Sequence, residues 1–139
     1  MDNNIFKGTI MIDRIILSTD ENETYLDFWK IQKLSNKIFF PNVKLTIAFL
    51  TNRDEDDELV TTIRSKQIDV KLYKPANGIP TANQAKVLRY YCASEYEQEV
   101  CLISDMDTVP LQSEYINKIS SLRKPETLMG VGKEVLDNT

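Results

Sequence analysis

The chain has 139 residues, 42% hydrophobic and 27% charged, and its 17 basic against 21 acidic side chains leave a net charge of −4. That length suffices for one domain (1–139) around one core, and the absence of any basic stripe argues against nucleic acid as a partner. There is no histidine, which excludes histidine triads, histidine-ligated zinc and histidine general bases from within this chain.

Residues 1–10 lack a basic stretch followed by an apolar one, so no signal peptide is expected there. No apolar run anywhere approaches the roughly 18 residues of a membrane span. RIILST at 14–19 reads as a buried strand, and the polar DENE at 20–23 ends it. Helical spacing follows over 24–39, with Tyr25, Phe28, Trp29, Ile31, Leu34 and Ile38 forming an apolar stripe expected to face the core. Pro41 stops that helix.

A second strand is expected over 43–50, apolar almost without interruption, as strands of parallel sheets buried on both faces are. Asn52 and Asp54 offer N-caps for a helix to about residue 66, and the acids at 54–58 suit its positive end. A third strand spans 69–74. The turn-rich PANGIP at 75–80 leads into a helix over 82–95, where Ala85, Leu88, Tyr91 and Cys92 share one face while Lys86 and Arg89 project together from another. A fourth strand runs through Val100 to Ile103, a further helix is expected over 113–122, and a last strand over 126–133. Cys92 and Cys101, the two cysteines, sit among apolar neighbours and read as buried reduced thiols, which favours a cytoplasmic setting. Strands alternating with helix-length segments call for right-handed crossovers and an α/β fold, a mostly parallel sheet with helices on both faces.

Two Asp-x-Asp pairs occur, Asp54/Asp56 and Asp105/Asp107. With 11 aspartates in the chain about one such pair arises by chance, so position must separate them. The first lies in a polar run at a helix start, where amides and the helix dipole stabilise acids. The second follows an apolar strand almost directly. Ligands of open parallel sheets bind beyond the carboxyl ends of the strands, and side chains at i and i+2 of an extended segment point the same way. Asp105 and Asp107 therefore aim at one point, where hard carboxylate oxygens suit Mg²⁺ or Mn²⁺. The alternative is a turn in which Asp107 caps local backbone amides before Pro110.

NQAKVLRYYCAS at 83–94, the apolar strand after it and DMDTVPL at 105–111 together resemble the GT-A family of nucleotide-sugar glycosyltransferases. In that family a helix bearing Lys or Arg precedes a strand ending in a metal-binding DxD. The resemblance covers about residues 14 to 123 and lies in the combined order of elements. It implies a Rossmann-like GT-A fold and a metal-dependent transfer of a sugar from a UDP- or GDP-sugar to an unknown glycan, protein or lipid acceptor. It further implies Mn²⁺ or Mg²⁺ with Asp107 as a direct ligand, and Asp105 reaching the donor ribose or the metal through water. Lys86 would contact the diphosphate or donor sugar; Ser18, Thr19 and Asp20 would line the base and ribose, and Thr51, Asn52 and Asn83 would join the nucleotide-sugar set.

Beside each role stands a plainer one: Ser18 and Thr19 close a strand, Asn52 caps a helix, and Lys86 is a solvated helix lysine. Thirty-two residues follow Asp107, without histidine, and Glu114, Glu126, Glu134 and Asp137 are the acids among them. None is assigned as the base, and the acceptor-binding part is expected to be short or missing. A second reading is a non-catalytic nucleotide-sugar-binding or scaffold domain of the same fold. Haloacid-dehalogenase phosphatases need further acids and a lysine farther downstream than this chain extends, and sugar-phosphate nucleotidyltransferases need a Gly-rich, Arg-containing loop that residues 18–23 lack. An open sheet edge would favour a homo-oligomer.

Overall fold

The computed structural model describes residues 11–122. Strands β1 (Arg14–Thr19), β2 (Lys44–Leu50), β3 (Asp69–Tyr73) and β4 (Cys101–Ile103) form an all-parallel sheet in the order β3-β2-β1-β4. In β1, Arg14 pairs in register with Lys44 on one side and Cys101 on the other. The chain thus steps outward from β1 to β3, then crosses back to place β4 on the far side of β1. That reversal between β1 and β4 is a topological switch point.

Alternation along the strands sorts the core into two layers. Leu17, Ile47 and Phe49 point to one face, where they meet Trp29 of α2 (Trp29–Phe39), Val60 and Ile63 of α3 (Glu58–Ser65) and Ile116 of α5 (Ser113–Leu122). Ile16 and Ala48 point to the other face, against Cys92 and Leu88 of α4 (Thr81–Ser94). Helices therefore cover both faces, as the order of elements predicts. Each large side chain sealed here contributes about 1.5–3 kcal/mol. Among the described residues no helix is long and apolar enough to cross a membrane.

Three local expectations change. The helix expected over 24–39 is two: a single turn, α1 (Glu23–Leu26), capped by Asn22 Oδ1 on the Thr24 N–H (3.1 Å), and then α2. The stripe is also split: Trp29 and Phe28 pack on the core as expected, and the rest of it does not. Ile31, Leu34 and Ile38 are exposed, as is Tyr25, while Gln32, Ser35 and Asn36 are buried with Trp29. The cause lies in backbone carbonyls that need donors. Gln32 Nε2 donates to the carbonyls of Met106 (2.8 Å) and Thr108 (2.9 Å), Ser35 Oγ to that of Pro110, and Asn36 Nδ2 to those of Phe40 (3.1 Å) and Val43 (2.7 Å). The N-cap of α3 is Asp57, which accepts from Leu59 N (2.9 Å) and Val60 N (3.3 Å), in place of Asn52 or Asp54.

On α4, Ala85 and Cys92 are buried as expected, but Tyr91 is exposed, its ring edge-on to Tyr73. Gly78 in the preceding loop has φ +82°, the left-handed conformation that glycine adopts without strain. Both cysteines are free. Burial pushes both thiols up, Cys101 to about 11, so neither is a thiolate nucleophile at neutral pH. The expected strand over 126–133 lies outside the described residues.

Candidate functional site

The ladder between β1 and β4 continues past the end of β4: the Ser104 N–H donates to the Ile16 carbonyl at 3.1 Å. That bond delivers Asp105 beside the end of β1. Met106 turns inward and is buried, so Asp105 and Asp107, either side of it, both face out. The two carboxylates line one cavity of about 310 Å³ at the switch point, together with Ser18, Thr19, Asp20 and Lys86. Six of the sequence-predicted site residues thus meet in one place, drawn from β1, α4 and the loop after β4.

The walls are set by specific bonds. Ser18 Oγ donates to the Ala85 carbonyl at 2.5 Å, tying β1 to α4. Thr19, buried, donates to the Asp20 carbonyl at 3.0 Å. Asp20 accepts from the Thr81 hydroxyl (2.8 Å) at the first residue of α4 and from the Asn22 N–H (3.0 Å). The Asp105–Pro110 loop is held from behind by Gln32 and Ser35 of α2, so the carboxylates stand on a braced backbone. Gln32 is 2% exposed.

Arg89 completes the site and was not among the residues that sequence reasoning assigned to it. Its guanidinium pairs with Asp105 Oδ1, and its Nε donates to the Lys86 carbonyl at 3.0 Å. The signal was present in the three-residue spacing that puts Lys86 and Arg89 on one face of α4, and both line the cavity. Tyr25 and Asn22 also line it. Three carboxylates, Asp20, Asp105 and Asp107, thus face two cations.

Thr51, Asn52 and Asn83 are not brought to this cavity. Thr51 extends the ladder toward β3, donating its N–H to the Tyr73 carbonyl (2.8 Å), and its hydroxyl binds Glu21 (2.5 Å). Asn52 is exposed, its carbonyl accepting from Lys74 Nζ (3.2 Å). Asn83 is exposed in the first turn of α4, its N–H donating to the Pro80 carbonyl (3.1 Å). The β2 exit is separated from β4 by β1, which is why its residues miss the site. Glu114 stands exposed in the first turn of α5; Glu126, Glu134 and Asp137 lie outside the described residues.

Among the described residues no group of three or more acids and cysteines could by itself hold a metal ion. Two carboxylates lining one cavity suit a different kind of site. Mg²⁺ and similar hard ions keep several waters and bind through one or two carboxylates plus the phosphates of a ligand. The donor set of Asp105 and Asp107 fits such a shared cation and does not fit an all-protein cage.

A larger concavity, about 1010 Å³, lies at the opposite end of the sheet and includes Arg14, Lys44, Arg64 and Asp69. Its charges are tied to one another or to neighbours: Arg14 to Asp69 and Glu99, Lys44 to Glu99, Arg64 to Glu55. Size alone therefore does not single out a candidate; the switch-point cavity is the candidate because the sequence-predicted side chains line it. Compared with protein-family models, with curated proteins and with solved structures, the chain matches none.

Proposed function

We propose that the chain is the donor-binding domain of a metal-dependent glycosyltransferase of the GT-A kind, taking a sugar from a UDP- or GDP-sugar. The observation that carries this reading is the meeting of Asp105 and Asp107 with Ser18, Thr19, Asp20 and Lys86 at the β1/β4 switch point. A strand-end crevice of about 310 Å³ is at the small end of the range for ligand sites.

A divalent cation at such a site holds the donor diphosphate and stabilises the negative charge that develops as it leaves. The chain's own residues have defined parts around it. Asp107 and Asp105 supply hard anionic oxygens. Lys86, on α4, offers an ammonium to the diphosphate. Asp20, held just after β1 by Thr81 and the Asn22 N–H, accepts from ribose hydroxyls on this reading. Gln32 and Ser35 keep the aspartate loop from relaxing when its charges change.

Thermal unfolding with UDP, GDP and their sugar conjugates, each with and without Mn²⁺, tests the reading. Ligand at about 100 times Kd stabilises a fold by roughly 2.7 kcal/mol. The expected result is a shift that needs nucleotide and metal together and disappears in Asp107→Ala. No shift with any pair would sink the reading. Release of labelled sugar from the donor would then separate an enzyme from a non-catalytic nucleotide-sugar-binding domain.

A further inference from the structure

The crevice already contains a cation, and it belongs to the protein. Arg89 pairs with Asp105 Oδ1 while its Nε rests on the Lys86 carbonyl, so the guanidinium lies along α4 with 15% of its side chain exposed, against 60% for Asp105. Among the described residues neither the Asp107 carboxylate nor the Lys86 ammonium has a hydrogen-bonding partner. The two aspartates are thus unequal. One is neutralised by a fixed charge, and the other has no partner among the described residues.

From this asymmetry we infer that Arg89 is the resident counter-cation of the site and exchanges Asp105 for an incoming diphosphate, so that divalent metal and nucleoside diphosphate bind as a coupled pair. The inference rests on the proposed donor site and assigns that site its order of events. While Arg89 holds Asp105, a metal ion must either compete for the same carboxylate or sit beside a guanidinium of like charge, and unit charges a few ångströms apart repel appreciably even near a protein surface. Metal alone therefore binds weakly. A diphosphate changes the competition, because a guanidinium pairs with phosphate through two parallel N–H bonds. Arg89 and Lys86 stand one helical turn apart on the cavity wall, so both can reach one diphosphate by side-chain rotation. Transfer of Arg89 to the phosphates returns Asp105 to the metal. Coupling of this kind is reciprocal: nucleotide tightens metal as much as metal tightens nucleotide.

Free Mn²⁺ measured by electron paramagnetic resonance, with the whole chain and with or without UDP or GDP, tests the exchange. In the native protein the diphosphate is expected to tighten Mn²⁺ by roughly tenfold or more, within the usual range of site-to-site coupling. Arg89→Gln is expected to bind Mn²⁺ alone about tenfold more tightly and to lose most of the enhancement, while Arg89→Lys, which keeps the charge, retains part of it. Unfolding curves of the same samples check that both variants are folded. If Arg89→Gln binds Mn²⁺ alone no better than the native chain and keeps the full enhancement, the exchange is overturned and the donor site stands. If the native chain fails to bind Mn²⁺ even in the presence of UDP or GDP, both are overturned.

Discussion

At its first residue β1 buries an arginine among partners, and at its last residues it opens into a crevice lined with unspent charge. Arg14 is 5% exposed. Its Nε meets Glu99 at 2.6 Å, its Nη1 meets Thr46 Oγ1 at 2.6 Å and Asp69 at 2.5 Å, and its Cζ lies 4.0 Å from the centre of the Tyr96 ring. At the other end the Asp105 carboxylate has one partner, and the Asp107 carboxylate and the Lys86 ammonium have none among the described residues. A charge network whose members satisfy one another fastens strands together. One whose members lack protein partners in a concave site leaves its charges open to a ligand, which is what the proposed function calls for. The contrast also explains why the larger concavity is the less interesting one.

The comparison breaks most visibly at Arg14. Arg14→Leu removes a guanidinium from between Glu99, Asp69 and Thr46 and is expected to cost about 3 kcal/mol, the scale of losing one partner of a buried ion pair. Urea unfolding measures it. Nucleotide affinity of the folded protein is expected to stay unchanged, and a parallel loss of affinity would show that the two ends are not independent.

A somewhat smaller effect is expected at Gln32, which links the core to the crevice. Gln32→Leu leaves the carbonyls of Met106 and Thr108 without their donor, at a cost of about 1–3 kcal/mol for unsatisfied buried groups. Hydrogen exchange is expected to rise over residues 105–110, and an unchanged loop would show that the brace is not what holds it.

Acid offers a third test. Hydrogen bonds from Arg14, then Lys44, hold Glu99 well below the usual carboxylate range, from 4.5 to about 2. A depressed folded-state value means that the unfolded chain binds the proton more readily, so stability contributed by this pair is complete above about pH 4.5 and drains away as pH falls toward 2. Glu99→Gln is expected to flatten that part of the stability curve, which a pH series of urea midpoints would record. A curve unchanged by the substitution would place the acid sensitivity elsewhere.

What could be read from the chain beforehand follows a physical division. Strand order along the chain, the parallel sheet and the exit of the aspartates were legible because local periodicity and chain order fix them. The direction of α2 was not. Its apolar residues Ile31, Leu34 and Ile38 suggested the buried face, but the demand came from carbonyls at 106–110, which are remote in sequence. Arg14 was invisible for the same reason: its partner Asp69 starts β3 and its partner Glu99 lies two residues before β4, and only the register brings them together. Thr51 and Asn52 were assigned to the site on the assumption that neighbouring strand exits share one crevice, whereas the crevice forms where the chain reverses. Arg89 was half legible, placed beside Lys86 by helical spacing but without its partner across the cleft.

The smallest expected change in stability is the most informative one for function. Asp107 is exposed and unpaired among the described residues, so Asp107→Ala removes no contact that holds the fold. Without metal its stability is expected to stay within about 0.5 kcal/mol of the native chain, as for surface substitutions away from structural features. A residue that caps a turn behaves differently, since loss of a capping carboxylate costs about 1 kcal/mol. Urea unfolding without ligand therefore distinguishes the two roles that the sequence leaves open for this residue. A loss near the larger value would make Asp107 part of the turn and remove the reason for the crevice to hold a cation. A neutral result, joined to loss of the Mn²⁺-dependent nucleotide shift, would mean that the carboxylate is kept for what it binds and not for what it stabilises.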